Sequence, residues 1–154
     1  MSKRIIVRIS SVLVMGLILI TIWIFCKLFF AGSAYYTEQD WLEYRFYTPD
    51  LLKKMPRISD KIQFDFVNVT GPDAHVFTIH FYGATDSSVI RNYLTSEGYE
   101  PQKSCDVEAE CWKSIKSDEV ITIAKYASPK EIFVQIYQRF GSSDMEHPMG
   151  KKDL

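Results

Sequence analysis

Eighteen residues between Arg8 and Lys27, ISSVLVMGLILITIWIFC, carry no charge. A surface helix of a soluble domain shows a polar stripe at helical spacing, and Val12 to Cys26 shows none. At about 1.5 Å per residue such a helix covers roughly 27 Å, near the ~30 Å hydrocarbon thickness of a bilayer. Leu28, Phe29 and Phe30 lengthen the apolar run, Lys27 can snorkel to the headgroups, and Trp23 suits an interface. The pattern predicts a membrane span over residues 9–30. Lys3, Arg4 and Arg8 precede it, and only Lys27 follows closely, so the positive-inside bias leaves residues 1–8 cytoplasmic and translocates the rest. In a bacterium this is the inner membrane, with the C-terminal domain periplasmic. Cleavage at Ala31-Gly32-Ser33-Ala34 is the alternative. The long, bulky run and the intervening Lys27-Leu28-Phe29-Phe30 favour a retained anchor.

Beyond the span the periodicity changes. Residues 31–40 read as a juxtamembrane connector, with Tyr35 and Tyr36 suited to the interface. Trp41 to Tyr47 alternates and is rich in aromatics, which predicts a strand. Thr48 as N-cap and Pro49 at the first helical position then open a short helix through Met55, which Pro56 stops. Lys61 to Thr70 alternates with a phase shift that calls for a bulge near Phe66. Gly71-Pro72-Asp73 turns the chain into His75 to Tyr82, completing a hairpin. Asp86 caps a helix over Ser87 to Glu97, and Gly98 holds the left-handed position after it.

Four further strands are predicted: Tyr99 to Lys103, Cys111 to Lys116, Glu119 to Tyr126 and Glu131 to Phe140. Turns fall at Ser117-Asp118 and Ser128-Pro129. Residues 141–154 are polar, aperiodic and predicted disordered. The fold class is α+β: an antiparallel sheet of six to seven strands over residues 41–140, with one main helix packed on it.

Charge and cysteines narrow the function. Beyond Ala34 there are 14 Lys and Arg against 19 Asp and Glu, a net of −5. That argues against nucleic acid and anionic lipid as ligands and allows a basic protein partner. Cys105 and Cys111, an even pair six apart in an oxidising compartment, read as a disulfide. A metal would need further ligands nearby, and no CxxC redox motif is present. The bridge would hold the acidic loop of Asp106, Glu108 and Glu110, a candidate partner contact.

Catalytic signatures are lacking. His75 and His80, five apart on one strand, point to opposite faces and cannot chelate one ion, and His147 lies in the tail. No G-x-S-x-G elbow and no glycine-rich phosphate loop occurs. Asp65, Glu97 and Asp118 supply carboxylates without a specific pattern. The reading is non-enzymatic, with no cofactor and no metal. An enzyme would require a deep pocket with convergent polar groups. The rings from Trp41 to Tyr82 serve core and cross-strand packing, and any left on an exposed sheet face would mark a protein contact.

The segments EYRFYTPDLLKKMPRIS, HFYGATDSSVIRNYL and CDVEAECW resemble small enterobacterial envelope proteins of the kind that act as periplasmic immunity proteins paired with secreted antibacterial toxins. The likeness covers roughly residues 43–140. It implies a periplasmic protein partner and carries over no individual functional residue. Such relatives often carry a lipoprotein cysteine, where this chain keeps an apolar helix. The competing reading is a structural or regulatory envelope protein acting through that helix.

Overall fold

A computed structural model describes residues 3–71, 73–105, 108–114 and 119–139. They belong to two units, an N-terminal helix and a sheet domain that begins at Gly32. Helix α1 (Lys3–Phe29) includes Val7–Phe29, a stretch long and apolar enough to cross a membrane, most of it exposed and Leu28 buried.

The domain follows as β1 (Ser33–Tyr36), α2 (Trp41–Tyr47), α3 (Asp50–Lys54), β2 (Lys61–Val69), β3 (Ala74–Tyr82), α4 (Ser88–Ser96), β4 (Tyr99–Pro101), β5 (Glu110–Ser114), β6 (Val120–Ala127) and β7 (Lys130–Arg139). All seven strands join one antiparallel sheet in the order β1-β2-β3-β7-β6-β5-β4. The α+β class and the main helix stand as expected. Hairpin β2–β3 and the meander from β4 to β7 are the local pairings. The one between β3 and β7 is non-local and closes the sheet at its centre.

Several local expectations need correction. Trp41 to Tyr47 is a helix, not a strand. Seven residues fit either period, and the long-range contacts decide: Tyr44 and Tyr47, three apart on α2, reach one side. There they meet Phe64 at 5.2 Å and Phe66 at 4.6 Å between ring centroids. Asp40 starts the helix by accepting from Thr37 N–H at 2.8 Å and Thr37 Oγ1 at 2.9 Å, and its own carbonyl accepts from Tyr44 N–H. Thr48 closes α2 rather than capping α3, which Pro49 precedes. Its hydroxyl donates instead to Tyr36 Oη at 3.1 Å.

The presumed connector supplies β1, paired with β2 from Ser33↔Val67 to Tyr36↔Phe64. No bulge interrupts β2: its register with β3 runs unbroken from Lys61↔Tyr82 to Val69↔Ala74. The phase shift means only that Val67 and Val69 face the other side from Phe64 and Phe66. The N-cap of α4 is Ser87 rather than Asp86, which lies one residue ahead and accepts from Ser88 N–H at 2.9 Å, and Gly98 takes φ +87°. Pro72, Asp106, Lys116, the Ser117-Asp118 turn, Phe140 and the tail from Gly141, His147 included, lie outside the described residues.

One face of the sheet is the core. Phe64, Ile79, Phe81, Ile121, Ile132 and Val134 are fully buried there, against Leu52 of α3 and Ile90 and Leu94 of α4. Each such side chain contributes about 2 kcal/mol through removal from water. Arg57 ties the helical layer together. Its guanidinium donates to the carbonyls of Leu52 (2.9 Å), Lys53 (3.2 Å) and Met55 (2.7 Å), groups a helix C-terminus otherwise leaves unpaired. It also pairs with Glu38 at 2.7 Å and lies over the Phe64 ring.

Candidate functional site

Alternation sends every second residue of β2, β3, β7 and β6 to the face opposite the core. Among the described residues of the domain, no helix covers that face. Its middle rows run Gln63–His80–Phe133–Ala124 and Lys61–Tyr82–Glu131–Tyr126, set by the register of the four strands. Asp65, Thr78 and Gln135 form the next row. Aromatic, aliphatic and charged side chains therefore mix on one broad surface, with Tyr35 (69% exposed) and Tyr126 (56% exposed) the most open rings.

At its centre stands His80. Nε2 lies 3.0 Å from Asp65 Oδ2 and Nδ1 faces Glu131 Oε1 on the other side of the ring, so the imidazolium donates to both carboxylates. The imidazole stacks on Tyr82 and lies near Phe133, at centroid distances of 6.0 and 5.9 Å. The three groups are mostly buried, with side chains 19%, 18% and 11% exposed for His80, Asp65 and Glu131. Partial burial works against the imidazolium. The hydrogen bonds and charges of Asp65 and Glu131 outweigh it and raise His80 above its ordinary value. His75, on the core face beside Phe66 and Phe77, shifts the opposite way, lowered by burial. The two histidines do point to opposite faces.

This geometry holds an imidazolium between two carboxylates. A catalytic histidine keeps one nitrogen for a nucleophile or substrate, whereas both nitrogens of His80 face carboxylates. Tyr82 Oη, the hydroxyl on the neighbouring ring, donates to Gln63 Oε1 at 3.3 Å. The donor atoms also diverge around the imidazole, and among the described residues no group of three His, Cys, Asp or Glu is arranged to hold a metal ion. Protonated, the cluster makes both hydrogen bonds and carries a net −1. Deprotonated, it leaves two carboxylates facing one proton donor.

Sequence reasoning placed Asp65 among unspecific carboxylates and missed both its bond to His80 and the role of Glu131. The hairpin register carried half of the signal, since it sets Gln63 opposite His80 and Asp65 diagonal to it. The Glu131 contact depends on the β3–β7 pairing, which no local pattern encodes. Glu97 ends α4 as its C-cap, and Asp118 lies outside the described residues.

The acidic loop divides. Cys105 and Cys111 are at disulfide distance, with Cα atoms 5.5 Å apart. Glu110 points to the core-side layer, where Arg91 of α4 donates Nε–H to its Oε2 at 2.8 Å. Glu108 is exposed, and Asp106 lies outside the described residues. Loop and His80 cluster thus fall on different parts of the domain. Comparison with protein-family models, with curated proteins and with solved structures gives no match for this chain.

Proposed function

We propose that this is a non-enzymatic, single-pass protein of a bacterial inner membrane, held by α1 with its N-terminus in the cytoplasm, whose periplasmic domain binds another protein. The binding surface is the uncovered sheet face around His80. The partner is a protein presenting apolar groups and at least one cation, which meets the carboxylates of Asp65 and Glu131. Immunity to a secreted antibacterial toxin is the form of this function that the resemblance implies.

The observation that carries the reading is the composition of that face. Tyr35, Tyr82, Tyr126, Phe133 and Tyr137 stand among valines, and aromatic enrichment of this kind marks protein contacts. The span at the N-terminus, the charge asymmetry around it and the Cys105–Cys111 pair support export.

Two experiments test the reading. An alkaline phosphatase fused after Leu154 is active when the domain is periplasmic and silent when it is cytosolic. Deleting the gene sensitises the host to the cognate toxin, and the toxin co-purifies with the full chain. An unchanged toxin response with no co-purifying toxin removes the immunity form. Replacing α1 by an unrelated span leaves partner binding intact, whereas an intramembrane role for the helix predicts its loss.

A further inference from the structure

Helix α2 has two sides. Tyr44 and Tyr47 turn inward, while Trp41, Arg45, Leu42 and Phe46 occupy an outer arc about 140° wide at helical spacing. Trp41 is 67% and Phe46 45% exposed, unusual for large rings on a domain with a complete core beneath them. Basic groups surround them: Arg45 and Lys54 are exposed, and Lys53 Nζ lies 3.3 Å from the Arg45 carbonyl. Arg57 is paired with Glu38 and Lys53 lies 3.6 Å from Asp50, so Arg45 and Lys54 are the exposed cations of this surface. The domain's −5 is therefore unevenly spread, and the two exposed cations beside Trp41 and Phe46 give this surface a chemistry that the net charge does not describe.

Only Phe30, Ala31 and Gly32 separate the end of α1 from β1, and four extended steps reach no further than about 14 Å. Helix α2 packs on β1, with Tyr36 and Tyr47 rings 6.0 Å apart. A surface that combines exposed rings with cations, on a chain that also carries an apolar span, has the chemistry of an interfacial contact.

We infer that the outer face of α2, through Trp41, Phe46, Arg45 and Lys54, docks on the anionic headgroups of the leaflet from which the domain emerges. This inference rests on the membrane-anchor reading. Because α2 covers the core side of the sheet, docking leaves the His80 face clear for a protein partner.

The test uses the full chain labelled with fluorotryptophan in vesicles of phosphatidylcholine and phosphatidylglycerol. Fluorine NMR follows Trp23, Trp41 and Trp112 while a headgroup spin-labelled lipid is added. Trp23 in the span and Trp41 broaden, while Trp112, 4% exposed within the core, keeps its width. With Arg45→Glu and Lys54→Glu, or without phosphatidylglycerol, Trp41 sharpens while Trp23 stays broad. Each cation contributes roughly fivefold to association with an anionic surface. An unchanged Trp112 shift shows that the variant is folded. A Trp41 line as narrow as that of Trp112, or one whose broadening ignores both charge changes, overturns the docking and spares the anchor. An unbroadened Trp23 overturns the anchor and the docking together.

Discussion

His80 and Glu131, 51 residues apart in the chain, share a hydrogen bond across the junction of β3 and β7. That junction is where the two locally paired halves of the sheet meet, so the contact reports on the longest-range pairing in the fold. Asp65 completes the arrangement from β2.

The sign of its pH dependence follows from the raised proton affinity of folded His80. In the unfolded chain the imidazole titrates near 6.5. The stabilisation is therefore complete below that pH and is lost as pH rises through the higher folded value. His80→Gln removes it, costing about 2 kcal/mol under acidic conditions and less under alkaline ones. Urea unfolding of both proteins across the range measures this. Parallel pH profiles would contradict the assignment.

Arg57 offers a sharper test of the helical layer. Its planar fork reaches several carbonyls at once, a geometry that an ammonium does not reproduce. Arg57→Lys should cost about 2 kcal/mol despite keeping the charge, because it leaves carbonyls at the end of α3 unpaired. A loss below a few tenths of a kcal/mol in denaturant titration would show that water replaces the guanidinium freely.

The Cys105–Cys111 bridge closes a short loop, for which chain entropy gives about 2 kcal/mol. Reduction should lower the unfolding midpoint by a corresponding amount and leave the far-ultraviolet spectrum unchanged, since β5 remains paired with β6. Complete unfolding on reduction would assign the bridge a larger role than its loop length allows.

Ser87 is fully buried, and its hydroxyl has no hydrogen-bond partner among the described residues. Asp86 already accepts the N–H of Ser88, so the Ser87 side chain caps nothing. Ser87→Ala should stabilise the domain by about 1 kcal/mol by removing an unsatisfied polar group. A destabilised variant in calorimetry would reveal a hydrogen bond to an ordered water.

Legibility in the sequence followed the range of the interactions. Hairpin β2–β3 and helix α4 were readable because alternation, Gly71, Asp86 and Gly98 act within a few residues of the structure they specify. Strand β1 was not, since Ser-Ala-Tyr-Tyr is too short to show a period and gains its pairing only from β2. The identity of α2 hinged on Phe64 and Phe66, which lie at least 17 positions downstream of Tyr47. The His80 cluster was the least accessible feature, because its three members sit on three strands and one of the two pairings that unite them is non-local.

The central claim is that a membrane-held domain recognises a protein through the uncovered sheet face. Photo-crosslinking in intact cells tests it most directly, with a benzophenone amino acid at Tyr126 on that face or at Val89, an exposed position on α4. A discrete protein adduct from Tyr126, lost with Phe133→Asp and absent from Val89, is the predicted result. Adducts from Val89 alone, or a Tyr126 adduct indifferent to Phe133→Asp, would contradict it.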